Sequence, residues 1–314
     1  MDQIKSFQHY VPKFLLEYFA SDGLLWVYDR QQKVFRQQPP KRTAGEKAYY
    51  VFQEKDGKKN PALEKMFSAI EDQAAPIIKN LHSGKKEISE QEKADLAMFI
   101  AALYLRVPDN LKRTDDMSIL LTKERLRKSV MFEEHFQRTM DQIEKKKGIK
   151  ISPERRKDVQ KTFAEKNYDI KFPKEHGLKM MMLSLQDTYY TVAQMEWTVM
   201  KPSEGKAFVI SDNPAFTINI KPEGFWGSGI GFLAPNCEST AVLTPQVAIF
   251  LSQTHNPEGV YSAQVHGNTV KAINFRTAVC SSRFLVSHSE ILLKRTVKRT
   301  KLKKRGPYAK AMVG

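Results

Sequence analysis

Only two cysteines, Cys237 and Cys280, occur in the 314 residues. The opening MDQIKSFQHYVPKF has no basic start followed by an apolar block. Neither a disulfide framework nor a secretory leader is therefore expected, and a reducing cytoplasm is the expected compartment. Long apolar runs are also missing. The longest, Leu96 to Leu105, stops at Arg106, short of the ~18 residues that cross a bilayer. The histidines at 9, 82, 135, 176, 255, 266 and 288 form no closely spaced pair, and there is no CxxC. That spacing excludes the familiar zinc motifs. A Walker loop, a dinucleotide GxGxxG and a GxSxG nucleophile elbow are absent too. The Gly-rich GFWGSGIG at 224–231 joins no strand to a helix start, so it reads as a loop or hairpin tip. No cofactor is expected from this inventory.

What is abundant is positive charge, and it is concentrated. The net charge is +16; Lys294 to Lys310 carries nine Lys or Arg and no acid. Residues 123–174 hold sixteen basic and nine acidic side chains, a further +7. The rest of the chain is formally neutral. Charge gathered in this way attracts polyanions to particular surfaces rather than merely keeping the chain in solution.

Periodicity divides the chain into three parts. FQHYVPKFLLEYFASD reads as a short helix entered at Pro12 and stopped by Gly23, followed by a hairpin in GLLWVYDRQQKVFRQQPP. Residues 41–60 look polar and irregular. From Pro61, the spacing of Leu63, Phe67, Ile70, Ala74, Ile77 and Leu81 predicts one buried helical face, kinked at Pro76. Ser89-x-x-Glu92 is a capping box for a helix over about 90–107. A third helix is expected over about 115–147, with Leu126, Val130, Phe136, Met140 and Ile143 inward. The Met-rich stretch 176–199 reads as a largely buried helix. After Lys201-Pro202 the texture becomes short β-rich pieces, with a helix expected over 268–279 and a last strand in RFLVSHS. The expected class is α+β: a small N-terminal β-hairpin element, a helical middle over about 61–199 and a β-rich part over about 206–290. Residues 1–290 are expected to form a single domain. The basic block over 291–314 is expected to remain an unpacked, flexible tail, because its like charges repel.

Three places carry candidate chemistry. His9, in His9-Tyr10-Val11-Pro12, stands beside a helix start, where a histidine serves as an acid/base group or merely fixes the chain entry. Asp212 and Asn213 lie in Ser211-Asp212-Asn213-Pro214 at a strand end, where loops deliver functional groups or satisfy turn amides. Arg106 ends the apolar helix and can complement its dipole or clamp an anion. Glu71, on the inward face of the preceding helix, could pair with that arginine or bind a metal.

At these residues the sequence resembles a bacterial family catalogued as domain of unknown function 4238. The resemblance rests on FQHYVPKFLLEYFASDGLLWVYDR, ALYLRVP, FVISDNP and the later VLTP, and spans roughly residues 7–290. It implies that His9, Tyr10, Pro12, Arg106, Asp212, Asn213 and Pro214 are the matched motif positions. It supplies no reaction. The basic tail lies outside it.

The leading expectation is a cytosolic protein that binds nucleic acid through phosphate contacts. The cations assigned to that contact are Lys294, Arg295, Lys298, Arg299, Lys301, Lys303, Lys304 and Arg305, with the basic helical segment. The alternatives are a phosphodiester hydrolase centred on His9, Arg106 and Asp212, and a non-catalytic protein whose tail docks on an acidic partner. Only the hydrolase would call for Mg²⁺. In that case Asp212 and Asn219-Ile220-Lys221 stand where two strands would carry carboxylates, and Glu71, Asp29 or Glu238 would replace the missing one.

Overall fold

The computed structural model describes residues 7–53, 59–173, 175–220, 231–234, 236–253 and 259–302. The architecture is α+β, with small sheets at the N-terminus, a helical middle and a C-terminal five-stranded mixed sheet. The chain forms two compact units. One comprises Met1–Asn110 with Met181–Gly314, and the other is Leu111–Met180.

The larger unit opens with β1 (Phe7–His9), α1 (Lys13–Glu17), β2 (Leu25–Asp29) and β3 (Val34–Gln38). A 3-10 turn (Pro40–Arg42) and β4 (Gly45–Lys47) follow, then β5 (Phe52–Gln53) and β6 (Lys59–Asn60). The supposedly irregular 41–60 thus carries three short strands. β1 pairs antiparallel with β4, and this fixes His9 opposite Gly45. A side chain at Gly45 would collide with the Phe7 ring and the Gln8 carbonyl, so the close approach of these strands demands glycine.

Two long helices come next. α2 (Ala62–His82) begins where the Asn60 carboxamide accepts the Ala62 amide at 2.8 Å, and it runs through Pro76 without a break. Its buried residues Leu63, Phe67, Ala74, Ile77, Ile78 and Leu81 follow the expected stripe. α3 (Glu90–Leu105) carries the complete capping box of Ser89 and Glu92, and every residue from Leu96 to Leu105 except Met98 is buried.

The chain leaves this unit along α4 (Pro108–Met131) and returns along α7 (Glu175–Ala193). Between them lie α5 (Glu133–Lys147) and α6 (Pro153–Ala164). The smaller unit is built on Val130, Phe136 and Met140, with Ile151, Val159 and Phe163 packed against them. The single helix expected over 115–147 is two. Phe132 adopts extended backbone (φ −92°, ψ 98°) and breaks it, and Ile143, expected inward, is 38% exposed. The expected helix over 176–199 also ends early, at Ala193. The β-favouring Trp197-Thr198-Val199 belongs to the next strand, where it packs against a sheet.

That strand, β7 (Glu196–Pro202), is followed by β8 (Ile210–Ser211), β9 (Ala215–Asn219), β10 (Cys237–Thr244), β11 (Val247–Ser252) and β12 (Val260–Val265). Then come α8 (Gly267–Cys280), β13 (Phe284–Ser287) and α9 (Glu290–Thr300). The five-stranded sheet runs β12-β7-β11-β10-β9, antiparallel except for β12 beside β7. The N-terminal hairpin is not a separate element. β13 inserts between β2 and β8 to make a four-stranded antiparallel sheet, β3-β2-β13-β8. The two ends of the chain therefore share one core, and sequence-local reading cannot see such a pairing.

The basic block is not a free tail along its whole length. Residues 290–300 form α9, capped where the Ser289 hydroxyl accepts the Leu292 amide. Leu293 is fully buried against Tyr28, Val209, Ala278 and Leu285, with Leu292, Val297 and Leu302 beside it. Counting charges hid an apolar stripe of helical period, which packs while the lysines and arginines face outward. Lys303, Lys304 and Arg305 lie outside the described residues.

Candidate functional site

Helices α2 and α3 and the end of β1 bring Glu71, Arg106 and His9 into one region. Glu71 lies four residues after Phe67 and three before Ala74, on the buried face of α2. Arg106 is the C-cap of α3. Its Nη1 donates to Glu71 Oε1 at 2.8 Å, and the pair's side chains are 1% and 26% exposed. The guanidinium carbon sits 5.1 Å from the Phe67 ring centroid. The Tyr50 ring packs at a tilt against Phe67, and Tyr49 meets Tyr50 edge to face. The Nε and Nη2 groups of Arg106 are buried with no hydrogen-bond partner among the described residues. The aromatic faces partly compensate that loss. The end of α3 is itself satisfied from outside, since the Tyr49 hydroxyl donates to the Arg106 carbonyl at 3.0 Å.

His9 lies at the rim. Its Nε2–H donates to the Pro40 carbonyl at 3.3 Å. Burial pushes the imidazole pKa below its usual value. The Pro40 carbonyl and Glu71 oppose that shift, and Lys13 and Arg106 add to it. Burial thus favours the neutral imidazole, and the Pro40 carbonyl orients its Nε2–H.

Asp212 and Asn213 are held differently. They follow β8, and their groups bind the segment between α8 and β13. Asp212 Oδ1 accepts the Ser282 amide at 2.9 Å, and Oδ2 accepts the Arg283 amide at 2.6 Å. Asn213 Nδ2 donates to the Cys280 carbonyl at 3.3 Å, closing the end of α8. The Ser211 hydroxyl completes the turn by accepting the Asn213 amide. These contacts splice β8 to β13 across a chain separation of about seventy residues. Both carboxylate oxygens are engaged by backbone. Asp29 accepts the Gln31 and Gln32 amides and pairs with Arg36 and Arg283, while Glu238 pairs with Arg276. Among the described residues, no group of three or more His, Cys, Asp or Glu is placed to hold a metal ion.

Burial dominates the Asp212 carboxyl and pushes its pKa up to about 6, against the pull of the Phe284, Arg283 and Ser282 amides. Between the ordinary carboxylate range and about pH 6, the folded protein therefore holds a proton there that the unfolded chain has already lost. This contribution to stability is fully present below the ordinary carboxylate range and is lost as pH rises through about 6. Asp212→Asn should remove that dependence. Denaturation midpoints of wild type relative to the variant should fall between pH 4 and 6.5 and be level above it. Parallel profiles across the window would contradict this account. The asparagine variant should also carry a pH-independent loss of stability, because one side-chain N–H would face a backbone N–H.

Separate from these is a cavity of about 380 Å³ between α8 and α9, lined in part by Lys206, Lys271, Arg295 and Arg299 and by no carboxylate. Sequence reading found Arg295 and Arg299 and missed Lys206 and Lys271, which are isolated cations joined to the others only by the fold. Their proximity to β-strand and helix ends was the available signal, and it was too weak to single them out.

A family described as protein of unknown function (DUF4238) matches residues 8–290. The chain belongs to that family. No curated protein and no solved structure matches the chain. The DUF4238 span includes both motif clusters and ends at Glu290, the first residue of α9. The two arginines that line the groove from α9 therefore lie beyond the family's matched extent, while Lys206 and Lys271 lie within it. No helix among the described residues is long and apolar enough to cross a membrane.

Proposed function

We propose that the protein binds nucleic acid through phosphate contacts made by the outer face of α9 and the groove beside it. The observation that carries the reading is the cavity between α8 and α9, with four cations and no acid on its walls. Such a wall concentrates positive potential where a phosphate can approach. Packing of α9 adds a second argument. Leu293 anchors the helix, while Lys294, Arg295, Lys298 and Arg299 are exposed. The cations are thus arrayed on a fixed scaffold, which lowers the ordering cost of binding relative to a free tail. Lys294 is partly occupied by Glu290 at 2.7 Å, leaving Arg295, Lys298 and Arg299 as the stronger contributors.

The test is a salt titration on one duplex. Replacing Arg295, Lys298 and Arg299 together by glutamine should reduce the magnitude of the log-affinity against log-salt slope by about 3 units, at about 0.9 per phosphate contact. Equal slopes for the two proteins would remove α9 from the interface. Circular dichroism should show the same fold for both, because the three side chains point outward.

A further inference from the structure

The groove between α8 and α9 is built to do more than neutralise a phosphate. Its volume of about 380 Å³ falls within the range of small-ligand pockets, about 300–1,000 Å³. One part of its lining is cationic. Arg295 and Arg299 lie one helical turn apart on α9, while Lys206 and Lys271 come from the β7–β8 connection and from α8. A Cβ at Gly267, the first residue of α8, would lie 3.3 Å from the Lys206 side chain, so that lysine runs close over the helix start. The helix's N-cap residue, His266, makes no side-chain capping bond.

The remaining lining mixes neutral polar side chains with apolar ones, among them Phe275, 43% exposed, and Ile291, 63% exposed. An exposed phenylalanine beside four cations is the pairing by which proteins hold unpaired bases: the ring stacks on a base while the cations take the backbone. His288 also lines the cavity, and its Nδ1 is buried with no hydrogen-bond partner among the described residues. The neighbouring polar groups are already engaged. Asn274 binds the Val209 amide and the Ala207 carbonyl, and Thr296 donates to the Leu292 carbonyl. The pocket therefore offers charge and a stacking face, with few free groups to read base identity.

We infer that this groove receives one unpaired nucleotide of a single strand, its phosphate between Arg295, Arg299 and Lys206 and its base on Phe275. A duplex keeps its bases inside and presents only its backbone, so it can touch the rim of such a pocket but cannot fill it. The inference rests on the nucleic-acid reading above and narrows it to single-stranded substrate with little sequence preference.

Fluorescence anisotropy with a labelled twelve-nucleotide oligodeoxythymidine and a labelled hairpin duplex tests it on the full chain. Wild type should bind the single strand at least tenfold more tightly at equal salt. Phe275→Ala should weaken single-strand binding by about tenfold or more and leave duplex binding unchanged, while Phe275→Tyr, which keeps the ring, should restore it. The ring's exposure makes both variants compatible with the fold. If the duplex binds as well as the single strand, or Phe275→Ala is neutral on both, the pocket inference fails while the phosphate-contact reading stands. If neither nucleic acid binds, both fall.

Discussion

Replacing Glu71 by alanine should lower the free energy of unfolding by about 3 kcal/mol, the cost of leaving a buried charge without its counterion. Arg106 is fully enclosed, and Glu71 Oε1 is the carboxylate oxygen that meets its guanidinium. The two remaining donor sites of that guanidinium are already unpartnered among the described residues. Removing Glu71 therefore strips the group of its one strong acceptor and leaves it facing Phe67. A second substitution separates this cause from lost packing on α2. In the Glu71→Ala, Arg106→Met double variant no charge remains to be compensated, and methionine can fill the space beside Phe67. The double variant should recover at least half of the loss, as replaced buried ion pairs do. Urea unfolding of the four proteins of the cycle measures this. A double variant as unstable as the sum of its single changes would mean that the pair contributes by shape rather than by charge.

This pairing also shows what sequence can and cannot deliver. Glu71 was visible as an acid on an apolar helical face, and Arg106 as a cation ending an apolar helix, so their meeting was legible as a hypothesis from two periodicities. Helix positions were legible for the same reason: capping at Ser89 and the stripe from Leu63 to Leu81 are local signals. Asp212 was not resolved in this way. Its oxygens are taken by Ser282 and Arg283, partners about seventy residues later, and a strand-end aspartate reads alike whether it awaits a ligand or binds a distant loop. Lys206 and Lys271 were hidden for a related reason. Each is an ordinary surface lysine until α8 packs beside α9. The break at Phe132 was missed because the flanking residues favour helix, and the expected single helix required only that the pattern continue.

Leu293→Ala should cost about 3 kcal/mol, the typical result of truncating an enclosed leucine that leaves a cavity. This follows from the helix that replaced the expected free tail. Leu293 is fully buried among Tyr28, Val209, Ala278 and Leu285, residues drawn from β2, the connection leading into β8, α8 and β13. Those elements meet only because β13 joins the chain's two ends. Loss of the leucine should therefore loosen both the four-stranded sheet and the seating of α9. Lys298→Ala, five residues further on and exposed, should change stability by less than about 0.5 kcal/mol. The contrast has a direct bearing on function. Cutting the chain before residue 294 would leave Leu293 at a frayed end and remove Val297 and Leu302 from the same cluster, so a truncation would lose stability and phosphate contacts together. Outward substitutions on α9 should lose only the contacts. Thermal unfolding of Leu293→Ala, Lys298→Ala and the truncated chain distinguishes the cases. Leu293→Ala and the truncation should both melt clearly below wild type, and Lys298→Ala should melt with it. If Leu293→Ala melts with wild type, α9 is not anchored to the core and the basic face loses the scaffold on which the proposed binding depends.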